Sequence, residues 1–468
     1  MAANNNHLRF REKLGYGLGD TASNFFFQTF NIFLLYYYTD VFGLSAAAVG
    51  TMFFVTKLWD AINDPLMGII ADRTQTRFGK FRPYLLWVAV PYGILGFLMF
   101  ANPDLSDSGK LVYAWVTYTL MMMIYTAINV PYSALMGVMT PSSQERTVLS
   151  SYRFVCAFGG GLLISMLVRP LIQFFGEGDE AKGFSLTMAL FAVFSIALFW
   201  YTFSTTRERV ITPAHQKSSL KNDLKFLVSN RPWLVLFFAA IFTLANVAVK
   251  NAVTVHFFKY YVGDDGTSIF LFMDQTTLFL TAGMLAMILG VACTRLFTRH
   301  FEKKTLMIGL SLLNAATMVI IFFIPPDQYW TMMAVNIVGM FLVGPTPALV
   351  WSMYADVADY GEWKFGRRTT GLVFSAAQFA QKFGLTIGGG LSGWLLGAFG
   401  FVANTDQTES SLLGIRLMFT IIPACLAAMN ALVILLYNLS DGKVGQIETE
   451  LERRRQQDVG AQSVPVAE

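Results

Sequence analysis

The chain of 468 residues is 54% hydrophobic and 14% charged, with a mean hydropathy of +0.50 and a formal net charge of +4. An ordinary soluble domain carries about 25% charged residues, so the composition excludes one and implies an all-α, polytopic membrane protein. Its extended partner is the lipid bilayer, and no nucleic-acid partner is expected.

The first residues, MAANNNHLRFREK, are polar and lack an apolar core, so no cleaved signal peptide is expected. Twelve apolar stretches follow, at roughly 18–40, 46–70, 83–101, 111–139, 148–174, 184–204, 232–261, 269–296, 305–325, 329–354, 370–400 and 412–438. About 18 or more apolar residues suffice for a membrane-crossing helix. With the N-terminus in the cytosol, 25 of the 34 lysines and arginines fall on cytosolic connections. That asymmetry is the positive-inside pattern, and it predicts a cytoplasmic (inner) membrane protein with both termini cytoplasmic. Cys156, Cys293 and Cys425 are widely spaced in apolar segments, which predicts buried free thiols.

The polar segment 205–231 divides the chain into an N-terminal six-span half (1–204) and a C-terminal one (232–440), with a cytoplasmic tail (441–468). Both halves carry one spacing. Gly68 is followed by Arg73, Arg77 and Arg82, and Gly290 by Arg295, Arg299 and Lys304 at matching offsets. QERT before span five echoes GRRT before span eleven. Duplicated halves with a site between them mark secondary transporters, which predicts a major facilitator fold.

Span two reads KLWDAINDPLMGIIADR and places Asp60 and Asp64 on one helix face, with Lys57 three residues earlier. An ionisable group at mid-membrane costs at least about 2.5–3.5 kcal/mol, so it normally lines a polar cavity and has a function. Two adjacent carboxylates repel, which favours a shared proton or a bound cation; a hard cation such as Na⁺ takes oxygen ligands. The bland alternative is a static Lys57–Asp60 bridge, but one lysine cannot neutralise two carboxylates. Asp72, Arg73, Arg77 and Arg82 fall at the cytoplasmic end of span two and are expected, with Lys57, to hold helix ends and conformational states together.

Arg153 in span five and Lys382 in span eleven occupy corresponding helices, with no carboxylate one turn away in sequence. They are expected on a central cavity, binding hydroxyls or an anionic group; the alternative is snorkelling to the surface. Asn24, Asn129, Gln378 and Gln381 are mid-span amides suited to sugar hydroxyls, although such amides also join helices. Asp20, Lys250, Asn251, His256 and Asp274 are further buried polar groups to which the sequence assigns no role. The glycines of GYGLGD follow no strand and are expected to ease close packing. No HExxH, GxSxG or Walker motif occurs, so no enzyme and no prosthetic group are expected.

YGLGDTAS, FLLYYYTDVFGLSAAAVGTMF, KLWDAINDPLMGIIADRTQTRFGKFRPYLL, YTAINVPYSAL and ADVADYGEWKFGRRTTGLVFS resemble the glycoside–pentoside–hexuronide:cation symporters, the major facilitator branch that includes melibiose permease. The resemblance covers residues 10–440. It implies a monomeric sugar transporter coupled to Na⁺ or H⁺, with Asp60, Asp64 and Thr126 at the cation and Asn24, Asn129, Arg153 and Lys382 at the sugar. Where melibiose permease has two acids and a tryptophan, this chain has Asn24, Asn129 and Ser133. Arg153 and Lys382 then lack those acidic partners, which favours an anionic sugar such as a uronide over the alternative of a neutral pentoside or oligosaccharide, with Asp20 the acid able to pair with a cation instead. The alternatives are an amphipathic or lipid-like solute on this fold, or a membrane sensor.

Overall fold

The computed structural model describes residues 8–210, 227–366 and 370–462. Its helices in chain order are α1 Phe10–Tyr36, α2 Ala46–Arg73, α3 Arg82–Trp87, α4 Ala89–Leu98, α5 Asp107–Met139, α6 Ser143–Gly176, α7 Glu180–Thr205, α8 Arg231–His256, α9 Gln275–Thr298, α10 Lys303–Phe323, α11 Tyr329–Val343, α12 Thr346–Phe365, α13 Thr370–Ala398, α14 Glu409–Phe419, α15 Ile421–Leu435 and α16 Asp441–Gln462. Among the described residues no strand forms beyond two isolated bridges, and eight helices are long and apolar enough to cross a membrane. Each predicted stretch lies on helix over most of its length.

Local chemistry sets where these helices begin and break. Ser45, Ser106, Ser142, Asp179, Asn230, Asp274 and Thr408 each accept a hydrogen bond from a backbone N–H of the first turn, satisfying a donor that the helix cannot. Asp274 therefore starts α9 at Gln275, six residues later than the apolar run predicts. The predicted third, tenth and twelfth spans are each split, at Val88, Gly344–Pro345 and Thr420. Pro91, Pro345 and Pro423 stand at or just beyond the breaks, where the missing proline N–H removes a helical hydrogen bond.

Spans one and seven both end in a π-helical turn, Tyr37–Val41 after α1 and Phe257–Val262 after α8. The repeated basic spacing also has a structural counterpart. Arg82 donates to the Phe203 carbonyl in the last turn of α7 (2.8 Å), and Lys304 to the Leu435 carbonyl ending α15 (2.8 Å). Each cation meets the unsatisfied carbonyls at a helix C-terminus.

Helix α1 packs on α6 and α7. Across the two halves α13 packs on α2, α1 on α8, and α6 on α9. The α2–α13 crossing depends on absent side chains, because a Cβ on Gly50 would stand 2.8 Å from the Gly390 carbonyl oxygen and 2.9 Å from Gly393 Cα. Small residues let membrane helices approach this closely. In GYGLGD, a Cβ on Gly17 would lie 2.8 Å from Cys156 Sγ, which fits the packing expected of that motif. The three cysteines are free, but Cys425 is exposed and Cys156 and Cys293 half-buried; the expectation of burial fails because apolar residues of a membrane protein also face lipid.

Candidate cation and solute sites between the halves

Helix α2 carries Asp60 and Asp64 one turn apart, facing α5 and α13. Thr126 Oγ1 donates to Asp64 Oδ1 (2.9 Å), and Lys382 Nζ, from the other half, donates to Asp64 Oδ2. Asp60 is only 8% exposed, and its Oδ1 has no hydrogen-bond partner among the described residues. Lys57, Asp60, Tyr118, Tyr125, Lys382 and Thr386 help enclose a cavity of about 70 Å³. No Lys57–Asp60 ion pair forms, so the static bridge is not what holds this site. One carboxylate of the pair is thus bonded to a lysine, while the other is buried with an unpartnered oxygen, sharing its cavity with Lys57 and Lys382 but in direct ion pair with neither. A buried, unpaired carboxylate is costly until a proton or cation joins it.

Three of the residues expected at the sugar gather on the N-terminal half. Arg153 Nε donates to Asp20 Oδ2 (3.2 Å) and its guanidinium lies 5.2 Å from the Tyr132 ring centroid. Asn24 Nδ2 donates to the Asp20 carbonyl (2.9 Å), and Asn129 accepts from Ser23 Oγ (2.6 Å). Two expectations are corrected here. Arg153 and Lys382 are not uncompensated cations, because Asp20 and Asp64 pair with them; the charge argument for an anionic sugar cannot rest on either. Lys382 joins the carboxylate site rather than this cluster, through a contact spanning 318 residues of sequence. Gln378, one turn before Lys382, is exposed and lines neither cavity described here.

A larger cavity of about 280 Å³ lies between the halves. Gln28 and Asn31 of α1 face Asn246, Lys250 and Asn251 of α8, with Asn314 and Asn430 beyond. Asn24, Gln28 and Asn31 follow helical spacing on α1, so the cavity continues the polar face that begins at Asp20. Phe27, Asn31 and Leu385 line both cavities. A polar lattice of amides can exchange hydrogen bonds with hydroxyl groups, each amide offering donors and an acceptor.

The halves are also tied at the end of the bundle away from the termini. The two π-helical turns bring Asp40 to Lys259 (2.9 Å) and to the Tyr260 hydroxyl. His256 Nε2 lies 3.0 Å from Thr39 Oγ1 and 3.4 Å from Asp40 Oδ2, and Asn404 Nδ2 donates to the Asp40 carbonyl (2.6 Å). Beside them Arg169 of α6 joins Asp274 (2.6 Å) and Asp264 (3.4 Å). None of these pairings is visible in the sequence, although YYYTD after span one and KYYVGDD after span seven are a shared polar-aromatic signal.

The charges expected at the other end of α2 divide. Lys57 lies in the carboxylate cavity rather than at a helix end. Arg82 is held by Phe203 and Phe78 carbonyls, Arg77 stands over the Phe78 ring, and Arg73 is exposed; the Asp72 side chain lies outside the described residues. Sequence reading missed Glu208, whose carboxylate accepts from the backbone N–H groups of Lys80 (2.9 Å), Phe81 (2.7 Å) and Arg82 (3.0 Å).

A family model described as MFS/sugar transport protein matches residues 15–441. The inner membrane symporter YicJ of Escherichia coli K12 is 36% identical over 98% of both chains. The isoprimeverose transporter of Lactiplantibacillus pentosus is 34% identical, over 97% of this chain and 93% of its own. The glucuronide carrier protein homolog of Escherichia coli K12 is 31% identical over 96% of this chain and 97% of its own. Among solved structures, a D-xylose-proton symporter superposes with a TM-score of 0.61 at 15% identity, covering 91% of this chain and 97% of its own. That likeness shows the fold alone. With its duplicated helical halves, span-two carboxylates and a family match over most of its length, the chain belongs to the MFS/sugar transport family, in the branch of the glycoside–pentoside–hexuronide:cation symporters.

Proposed function

We propose that the protein is a secondary active transporter that moves a sugar or sugar derivative together with Na⁺ or H⁺. The observation that carries this reading is the shared wall. Phe27, Asn31 and Leu385 separate the cavity at Asp60 from the amide-lined cavity, so occupancy of one can reshape the other. The names of its relatives, a symporter, an isoprimeverose transporter and a glucuronide carrier homologue, support the same class of cargo.

In this reading Asp60, Asp64 and Thr126 receive the cation, and Lys382 releases Asp64 as the cation enters. Asn24, Asn129 and Arg153 meet the sugar from the N-terminal half. The contacts through Asp40, Arg169 and Lys259 close the periplasmic end, with both termini in the cytoplasm of an inner-membrane monomer. Alternating access then requires these ties to break as the halves rock.

The test is uptake by purified protein in proteoliposomes, across a panel of labelled glycosides, pentosides and hexuronides. An imposed inward Na⁺ or H⁺ gradient is expected to drive accumulation of at least one of them above equilibrium. Equilibration without gradient-driven accumulation for every sugar entering the vesicles, or no entry at all, contradicts the reading.

A further inference from the structure

The amide-lined cavity contains a cation that the cation site and the Asp20–Arg153 cluster do not use. Lys250 lies on α8, and its Nζ donates to Asn336 Oδ1 (3.3 Å) and stands 5.5 Å from the Phe419 ring centroid. Among the described residues that amide oxygen is its only hydrogen-bond acceptor, and no carboxylate pairs with it. Among the described residues no acidic one lines the cavity. This differs from Arg153, Arg169, Lys259 and Lys382, each of which meets an aspartate.

An ammonium has three donors and a full charge. One neutral acceptor and an aromatic face leave most of both unanswered, and leaving a charge uncompensated in a poorly solvated cavity is expensive. A methionine would fill the same space without that cost, so packing does not account for a lysine here. A second unmet group lies on the same wall. Asn430 is 4% exposed, its Nδ2 donates to Ser311 Oγ (3.0 Å), and its Oδ1 has no partner among the described residues. The cavity thus presents an unpaired cation and an unpaired acceptor, facing Gln28 and Asn31 of the other half. Its volume of about 280 Å³ suits a small solute, near the lower end of the range of ligand pockets.

We infer that Lys250 is a substrate-binding residue that pairs with a single anionic group on a polyhydroxylated solute, while Asn430, Gln28 and Asn31 exchange hydrogen bonds with its hydroxyls. The inference rests on the reading of the inter-half cavity as the solute site. It places the charge-selective contact on the C-terminal half, apart from the N-terminal cluster of Asn24, Asn129 and Arg153. A solute bridging Lys250 and α1 would draw the halves together around itself.

The test is calorimetric binding to the full-length protein in nanodiscs, without any gradient. The probes are matched pairs: methyl β-glucuronide with methyl β-glucoside, methyl β-galacturonide with methyl β-galactoside, and gluconate with sorbitol. At least one anion is expected to bind about tenfold or more tightly than its neutral counterpart, a difference of about 1.4 kcal/mol. In Lys250→Gln that advantage disappears while the neutral compound's affinity holds, and in Lys250→Arg the advantage remains. The inference is overturned if no anion exceeds its counterpart, including the case in which none binds, or if Lys250→Gln weakens both members of a pair equally. Lys250-dependent anion binding without gradient-driven uptake would retain the residue's role and remove the symport reading. Gradient-driven uptake of a sugar, with no anion bound more tightly than its neutral counterpart, would do the reverse.

Discussion

Asp60 and Asp64 look alike in the sequence and stand in different circumstances in the fold. Asp64 accepts from Thr126 and pairs with Lys382, whereas Asp60 is buried with an unpartnered oxygen. Replacing either by asparagine removes a charged ligand, but the consequences diverge. Asp64→Asn also orphans Lys382, whose side chain is 40% exposed, so the cost is well below the ~3–5 kcal/mol of breaking a fully buried pair. Asp64→Asn is therefore expected to lower the thermal midpoint of the purified protein more than Asp60→Asn does, and both are expected to abolish cation-driven accumulation. Thermal unfolding and proteoliposome uptake on the two variants check this; equal midpoints would mean that Lys382 does not depend on Asp64. The carboxylate pair and its helix face are legible from residue spacing alone. Thr126 enters through family resemblance, and the Lys382 partnership is invisible because it joins helices from opposite halves.

Among the helices, α2 and α13 form the contact that sets the geometry of that site. Gly50, Gly390 and Gly393 let their backbones meet on the distal side of Asp60 and Lys382. Gly50→Val is expected to force the helices apart, destabilising the protein by about 1–3 kcal/mol as overpacked cores do. Because the crossing is shared by both halves, cation-driven uptake should fall as well; an unchanged thermal midpoint would show that the approach is not tight. The π-helical turns make a second prediction. Lys259→Ala removes the cation joining Asp40 and Asn404 across the distal end, and should raise the fraction of molecules open there. A cysteine at Asn31, in a background whose three native cysteines are replaced by serine, should then react faster with a membrane-impermeant maleimide from the periplasmic side. An unchanged rate would mean that the remaining ties, from Tyr260, His256 and Asn404 to the Asp40 turn and through Arg169, hold that end without Lys259. Apolar runs predict these helices well to within a few residues, but not their breaks, since a run of hydropathy does not register where Pro91, Pro345 and Pro423 withdraw a backbone donor. The distal ties are equally hidden, each group being an ordinary polar residue until the two π-helical turns bring them together.

Taken as one molecule, the two halves meet among the described residues chiefly through α2–α13, α1–α8 and α6–α9, and cavities with a common wall lie between them. The repeated Gly-Arg-Arg-Lys/Arg spacing has a structural counterpart in Arg82 and Lys304, each donating to the C-terminal carbonyls of a neighbouring helix. What the spacing could not convey is which polar faces end up opposite each other, since this depends on how the halves dock. Lys250 belongs in this group: on α8 it is one charge in an apolar run, and only the docked halves show that no carboxylate meets it. In the proposed reading the shared wall of Phe27, Asn31 and Leu385 links binding of solute and cation, and such linkage is reciprocal. The most direct measurement is calorimetric titration of a transported solute into the full-length protein with and without the coupling ion, and of the ion with and without the solute. The expected result is that each ligand tightens the other by the same factor, about fivefold or more, and that Asp60→Asn reduces both factors to one. Independent binding in the parent protein, with both factors already one, would contradict a coupled transporter built on these two cavities.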